Sequence, residues 1–215
     1  MDKQATHTLE VEWIVLSKAP VVGLVKTRLI SVLGEQGACD VYCQLLHRLE
    51  RTLSNFIANH GGHVALWVAG DCEHEAFQSW IRFSTLYQQP AQDASAGADL
   101  GQRMALAVQS ALARGLLPVL IGVDVPSLDE SYLMNCLRQL QHHDLVISPA
   151  EDGGYGLLGM KQLYPELFLT KDWGTDTVFS DTQLDIENLN IRAAYLPMVW
   201  DVDEAKDVRR FQLLK

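Results

Sequence analysis

Four short segments concentrate the residue types that can do chemistry. From Lys18 to Arg28 the chain places three cations, Lys18, Lys26 and Arg28, and the glycine Gly23 within eleven residues of an otherwise acidic protein. Lysine offers a compact charge, arginine a bidentate fork, and glycine lets backbone N–H groups come close, a combination suited to cradling a phosphate or diphosphate. A solvated basic loop accounts for the same charges about equally well. The patterns G-x-x-x-x-G-K-[ST] and G-x-G-x-x-G are both missing, so the P-loop and dinucleotide-binding readings lose their main support.

The other three segments are acidic. Asp124 follows the apolar run Leu120-Ile121-Gly122-Val123 and precedes Pro126, which directs its carboxylate out of the end of a strand, where one or two carboxylates can hold Mg²⁺ with phosphates and waters. Capping the next helix is its structural alternative. Asp201 and Asp203 offer a second ligand, and either could instead cap the last helix before Glu204. Glu151-Asp152-Gly153-Gly154-Tyr155 sets two carboxylates beside two glycines and an aromatic ring, a mixture suited to a polar acceptor, although a tight turn alone explains the glycines. Trp173-Gly174-Thr175-Asp176 reads as closing the acceptor side, with Thr175 or Asp176 as helix caps otherwise. None of the seven histidines has a partner at metal-binding spacing.

These segments need elements to position them. Val11 to Ser17, His63 to Ala69, Thr85 to Gln88, Leu117 to Val123, Leu145 to Ser148, Tyr155 to Met160 and Ile191 to Leu196 read as strands. Helices are expected from about Glu35 to His60, where Val41, Leu45, Leu49, Leu53 and Phe56 share a face, and near Glu73 to Ile81. Further helices are expected at Leu100 to Arg114, Asp129 to His142, Thr175 to Glu187 and Glu204 to Leu214. Strands alternating with helices predict a mostly parallel sheet covered on both faces. Tyr155 follows Pro149 too closely for a crossover helix, so that strand is expected to be antiparallel. In such sheets ligands bind beyond the carboxyl ends of the strands, and all four chemical segments fall there.

The 215 residues suit one domain, 1–215, with no repeat or linker. A hydrophobic share of 48% against 20% charged residues is that of a folded globular chain. The excess of 27 acidic over 17 basic residues, net −10, argues against nucleic acid as a partner and leaves small phosphorylated ligands open. No apolar run approaches the roughly 18 residues of a membrane span. The first eight residues carry no export pattern, so a cytoplasmic location is expected. Cys39, Cys43, Cys72 and Cys136 lack C-x-x-C spacing and read as reduced thiols.

Taken in order, the segments Lys18-x-Pro20-x-x-Gly23-x-Val25-Lys26-Thr27-Arg28-Leu29, Asp99-Leu100-Gly101-x-Arg103-Met104, Ile121-Gly122-x-Asp124-x-Pro126-x-Leu128, Pro149-x-x-Asp152-Gly153-Gly154-Tyr155-x-Leu157 and Trp173-Gly174-Thr175 resemble the DUF2064 proteins. That resemblance implies a bacterial glycosyltransferase of the GT-A, nucleotide-diphospho-sugar transferase fold. The resemblance spans about Glu12 to Phe211 and implies a three-layer α/β/α domain. More distantly the chain is similar to the molybdenum-cofactor and phospholactate guanylyltransferases. It lacks their glycine-dense loop, and it has Asp-Val-Pro where many glycosyltransferases have Asp-x-Asp.

The resemblance implies that Lys18, Gly23, Lys26, Arg28 and Arg103 bind the nucleotide and that Asp124, with Asp203 second, holds Mg²⁺ or Mn²⁺. Glu151, Asp152, Gly153, Gly154, Tyr155 and Trp173 then face a small-molecule acceptor, with Asp152 the favoured base ahead of Glu151 and Lys26 assisting the transfer. The expected activity is metal-dependent transfer from a nucleotide sugar. Nucleotidyl transfer from a nucleoside triphosphate to a phosphorylated acceptor, and nucleotide binding without catalysis, are the alternatives.

Overall fold

The computed structural model describes residues 10–90, 100–169 and 171–214. Residues 1–8, read above for an export signal, and Asp99 of the second motif lie outside them. The described residues include seven strands: β1 (Val11–Lys18), β2 (His63–Ala69), β3 (Thr85–Gln88), β4 (Leu117–Ile121), β5 (Leu145–Pro149), β6 (Tyr155–Met160) and β7 (Ala193–Tyr195). They form one sheet in the order β3-β2-β1-β4-β6-β5-β7. Every neighbouring pair is parallel except β4–β6 and β5–β6, so β6 is the antiparallel strand that the short Pro149–Tyr155 connection predicts.

Side chains alternate across the strands and thereby build two cores. On one face Trp13, Val15, Leu66, Val119 and Val146 pack with Leu46, Leu53 and Phe56 of α1 (Ile30–His60) and with Leu133, Cys136 and Leu140 of α3 (Glu130–His142). On the other face Ile14, Trp67, Leu120 and Leu158 meet Met104, Ala107, Val108 and Ala111 of α2 (Leu100–Ala113) and Ile186 of α4 (Val178–Asn188). A third cluster seats Val208 and Phe211 of α5 (Ala205–Gln212) on Ala38, Val41 and Leu45 of α1. The result is the three-layer α/β/α arrangement. Among the described residues no helix is long and apolar enough to cross a membrane.

Several boundaries differ from the sequence expectation. No α-helix forms near Glu73 to Ile81; two 3-10 turns, Glu75–Phe77 and Trp80–Arg82, stand there instead. Phe77 closes the first turn and Trp80 opens the second, and both are fully buried, so two aromatic rings enter the core without a continuous helix. Helix α1 begins at Ile30 rather than Glu35, with a break at Gly34 (φ 71°, ψ 169°). Helix α4 starts at Val178, because Thr175 folds back instead, its N–H and Oγ1 both donating to the Asp172 carbonyl. Thr177 stands at the N-cap of α4, so neither Thr175 nor Asp176 caps it.

The caps left open by the sequence fall on other residues. Asp129 caps α3, accepting from Tyr132 N–H at 2.8 Å. Glu204 caps α5 in a reciprocal box with Asp207. Asp124, Asp201 and Asp203 are therefore released from capping.

Candidate active site

The sheet order reverses at β1: β2 and β3 lie to one side of it, β4 to the other. The carboxyl ends of β1 and β4 therefore flank the crevice where ligands of open α/β sheets bind. A cleft of about 560 Å³ opens there. The segment after β1 supplies one wall, Asp124 after β4 the floor, and the β5–β6 turn another wall. The last segment arrives through an isolated bridge between Ala150 and Val199, and Val202 N–H donates to the Asp124 carbonyl at 3.1 Å. That backbone bond fixes the 201–203 strip against Asp124.

Lys26 is placed by its backbone. Val25 and Leu29 on either side are buried, while Lys26 itself takes the left-handed conformation (φ 46°, ψ 44°) and starts the 3-10 turn Thr27–Leu29. A non-glycine residue there is strained by roughly 1–2 kcal/mol. The ammonium is well placed to offset this, since Lys26 Nζ donates to Asp124 Oδ2 and to Asp203 Oδ1, each at 2.8 Å, with its side chain only 7% exposed. Burial disfavours its charge, but the two carboxylates outweigh burial and hold the Lys26 pKa well above the ordinary lysine value.

Arg28 Nη1 donates to the second oxygen of Asp203 at 2.7 Å. Burial pulls the Asp203 carboxyl upward, yet Lys26 and then Arg28 prevail and keep it below its usual range. Asp201 stands apart from these cations. Its pKa is pushed up to about 7, first by burial and then by the negative charges of Asp152, Asp124 and Asp203. Asp124, Asp201 and Asp203 each present an oxygen within 4.8 Å of the others. Three hard oxygen donors at a cleft suit Mg²⁺ or Mn²⁺.

Of the residues singled out from the sequence, Lys18, Lys26, Arg28, Arg103, Asp124, Asp152, Gly154, Tyr155, Trp173 and Asp203 line this one cleft. Asp152 Oδ1 accepts from Gly154 N–H at 2.9 Å. Tyr155 stands edge-on to Trp173 with ring centroids 6.3 Å apart. Gly23, Glu151 and Gly153 are outside the lining. Gly23 packs near the Glu35 carboxylate. Glu151 pairs with Arg210 at 2.9 Å, whose guanidinium lies over the Trp200 ring. Gly153 sits beneath the Asp176 backbone.

Two cleft residues were not legible as such. Tyr42 belongs to the apolar stripe of α1, yet its hydroxyl accepts from Lys18 N–H at 3.0 Å and meets Ser17 Oγ at 2.8 Å. Gln89 is 3% exposed; Nε2 donates to the Ser17 and Trp67 carbonyls, and Oε1 accepts from Arg103 Nη1 at 2.7 Å. A buried amide that ties β1, β2 and α2 together carries no local sequence pattern.

Comparison with known proteins agrees with this architecture. A Desulfovibrio desulfuricans G20 protein provisionally named a nucleotide-diphospho-sugar transferase is 30% identical at a TM-score of 0.76, covering 89% of this chain and 82% of that one. The 4-diphosphocytidyl-2C-methyl-D-erythritol synthase of Anaerococcus prevotii (10% identity, TM-score 0.60, 95% and 96% covered) shares the fold. So does a nucleotidyl transferase of Methanothermobacter (11%, 0.60, 95% and 99%). No curated protein matches the sequence. Residues 52–175 match the family described as an uncharacterized protein conserved in bacteria, and on that match together with the 30% identical structure the chain belongs to the DUF2064 family.

Proposed function

We propose that the protein is a metal-dependent transferase that takes its donor as a nucleotide-activated compound, a nucleotide sugar first among them. The observation that carries this reading is the convergence of Lys26, Arg28, Asp124, Asp201 and Asp203 at the switch point of the sheet, from loops up to 177 residues apart. Asp124, Asp201 and Asp203 would hold Mg²⁺ or Mn²⁺, which when bound supplies positive charge against a departing diphosphate.

The chain's own residues account for the rest. Arg28, 61% exposed, reaches solvent at the mouth and can turn from Asp203 to a phosphate in a bidentate pair. Lys26 and Arg28 together stabilise negative charge that grows on the leaving group. Arg103, braced by Gln89, adds a cation on the α2 side. Trp173 and Tyr155 form an aromatic wall in the cleft that the acceptor carboxylate Asp152 also lines.

Nucleotidyl transfer is the second reading, favoured by the bond from Gly154 N–H to Asp152 Oδ1. A carboxylate committed to a turn orients an acceptor more readily than it removes a proton, and a phosphate acceptor is already ionised and needs no base. The test is a panel of nucleotide sugars and nucleoside triphosphates with Mg²⁺ or Mn²⁺ and a mixture of phosphorylated and hydroxylic acceptors. Release of a nucleoside diphosphate supports glycosyl transfer, and release of pyrophosphate supports nucleotidyl transfer. Absence of both, together with absence of nucleotide binding in calorimetry, sinks the transferase reading.

A further inference from the structure

The Lys26 ammonium already occupies two of the three carboxylates that would receive a divalent ion. It touches Asp124 Oδ2 and Asp203 Oδ1 at 2.8 Å each and is shielded from water, and these two aspartates belong with Asp201 to the set whose oxygens lie within 4.8 Å. A second cation entering the same oxygens meets like charge at contact distance, carried by an ammonium that is itself shielded from water. We propose that Lys26 is the resident counter-ion of the metal site and yields its carboxylates when a ligand phosphate takes over its ammonium, so that metal and phosphate bind as a coupled pair. This rests on the metal-site reading above.

The geometry suits an exchange confined to one side chain. Buried Val25 and Leu29 anchor the backbone on both sides of Lys26, while the lysine stem is flexible and carries a point charge that any phosphate oxygen can accept. Arg28 cannot replace it, because among the described contacts it reaches Asp203 and not Asp124. Without phosphate the carboxylates keep their internal cation and hold a divalent ion weakly; with phosphate present both cations find anions. Coupling of this kind is reciprocal, so the metal raises phosphate affinity by the same factor.

The experiment measures Mn²⁺ binding to the metal-free protein, by the electron paramagnetic resonance signal of free Mn²⁺ and by calorimetry, without nucleotide. Lys26→Met is expected to bind Mn²⁺ at least about tenfold more tightly than the parent, within the usual range of coupling between sites. Lys26→Arg, which keeps a cation beside the carboxylates, is expected to gain less Mn²⁺ affinity than Lys26→Met does. Inorganic phosphate is expected to strengthen Mn²⁺ binding more in the parent than in Lys26→Met. Circular dichroism of each variant checks that the fold is retained, and Lys26→Arg carries the comparison of phosphate enhancement should Lys26→Met unfold: enhancement in Lys26→Arg equal to the parent's supports the exchange, and none in either overturns it. If the parent binds Mn²⁺ through Asp124, as shown by loss in Asp124→Asn, and Lys26→Met gains nothing, the exchange is overturned while the metal site stands. If no form binds Mn²⁺ with or without phosphate, the metal reading and the exchange fall together.

Discussion

Lys26 Nζ donates to Asp203 Oδ1 at 2.8 Å across 177 residues of sequence. The contact closes the molecule on itself, joining the loop after the first strand to the segment that feeds the last helix. Asp124 is the common neighbour, bonded to Lys26 through its side chain and to Val202 through its carbonyl. Perturbing any one of these groups therefore tests the site and the fold separately only if the substitution preserves shape.

Asp124→Asn meets that condition. Asparagine keeps an oxygen that can accept from Lys26, Asp203 still pairs with the ammonium, and the cap of α3 belongs to Asp129. The metal-free variant is expected to lose about 1 kcal/mol or less, because the Asp124 side chain is 38% exposed and such pairs contribute little. The additional thermal stabilisation that nucleotide with Mg²⁺ or Mn²⁺ gives the parent is expected to disappear. A differential scanning fluorimetry shift equal to the parent's would return Asp124 to a purely structural role.

Glu151 and Asp152 are neighbours that the structure separates. Glu151→Ala releases Arg210 at the surface and is expected to leave nucleotide affinity and turnover within about twofold of the parent, since exposed pairs are worth at most about 1 kcal/mol. Asp152→Ala is expected to lower turnover by about 10²-fold or more if it serves as the base. Equal losses in the two variants would mean that the acceptor contacts both carboxylates and that the turn rearranges on binding.

Gly153 and Gly174 separate backbone strain from packing. Both have positive φ, 86° and 92°, but a Cβ on Gly153 would stand 2.1 Å from the Asp176 carbonyl oxygen, whereas one on Gly174 meets nothing within 4 Å. Gly174→Ala is expected to cost about 1 kcal/mol, and Gly153→Ala about 2–4 kcal/mol, with faster hydrogen exchange over residues 173–177. Similar denaturation midpoints for the two variants would contradict this packing.

The pH dependence of the metal-free protein follows from Asp201. Its folded pKa of about 7 lies above the ordinary aspartate value of 3.8, owing to burial and then to Asp152, Asp124 and Asp203. The folded protein thus binds this proton more tightly than the unfolded chain does, and stability from the group is present at low pH and lost as pH rises from about 4 to about 7. Asp201→Asn is expected to flatten the melting temperature between pH 5 and about 7.5 relative to the parent. Lys26 and Asp203 shift outside this window, in the alkaline and acid directions respectively. Identical pH profiles for the two proteins would show that Asp201 is ionised throughout.

Much of the frame was legible in the sequence for a local reason. Strands β2, β3 and β6 occupy the residues expected of them, because short β-branched or apolar runs between glycine and polar breaks leave few other conformations. The antiparallel turn of β6 followed from chain length alone. Where the local signal competed with tertiary burial it failed, as at Phe77 and Trp80, whose aromatic rings enter the core from 3-10 turns instead of a helix.

The site divides in the same way. The sequence by itself determined which loops carry charge and, through the alternation of strands and helices, that these loops share one rim of the sheet. Only the tertiary structure decided which charges meet. The Val202 N–H bond to the Asp124 carbonyl brings two aspartates of the last segment to Asp124, the left-handed turn at Lys26 aims its ammonium at two of the three, and Arg210 draws Glu151 away from the cleft. Contacts of this kind join residues far apart in the chain, and their energies depend on burial and distance, quantities that no local pattern of residues encodes.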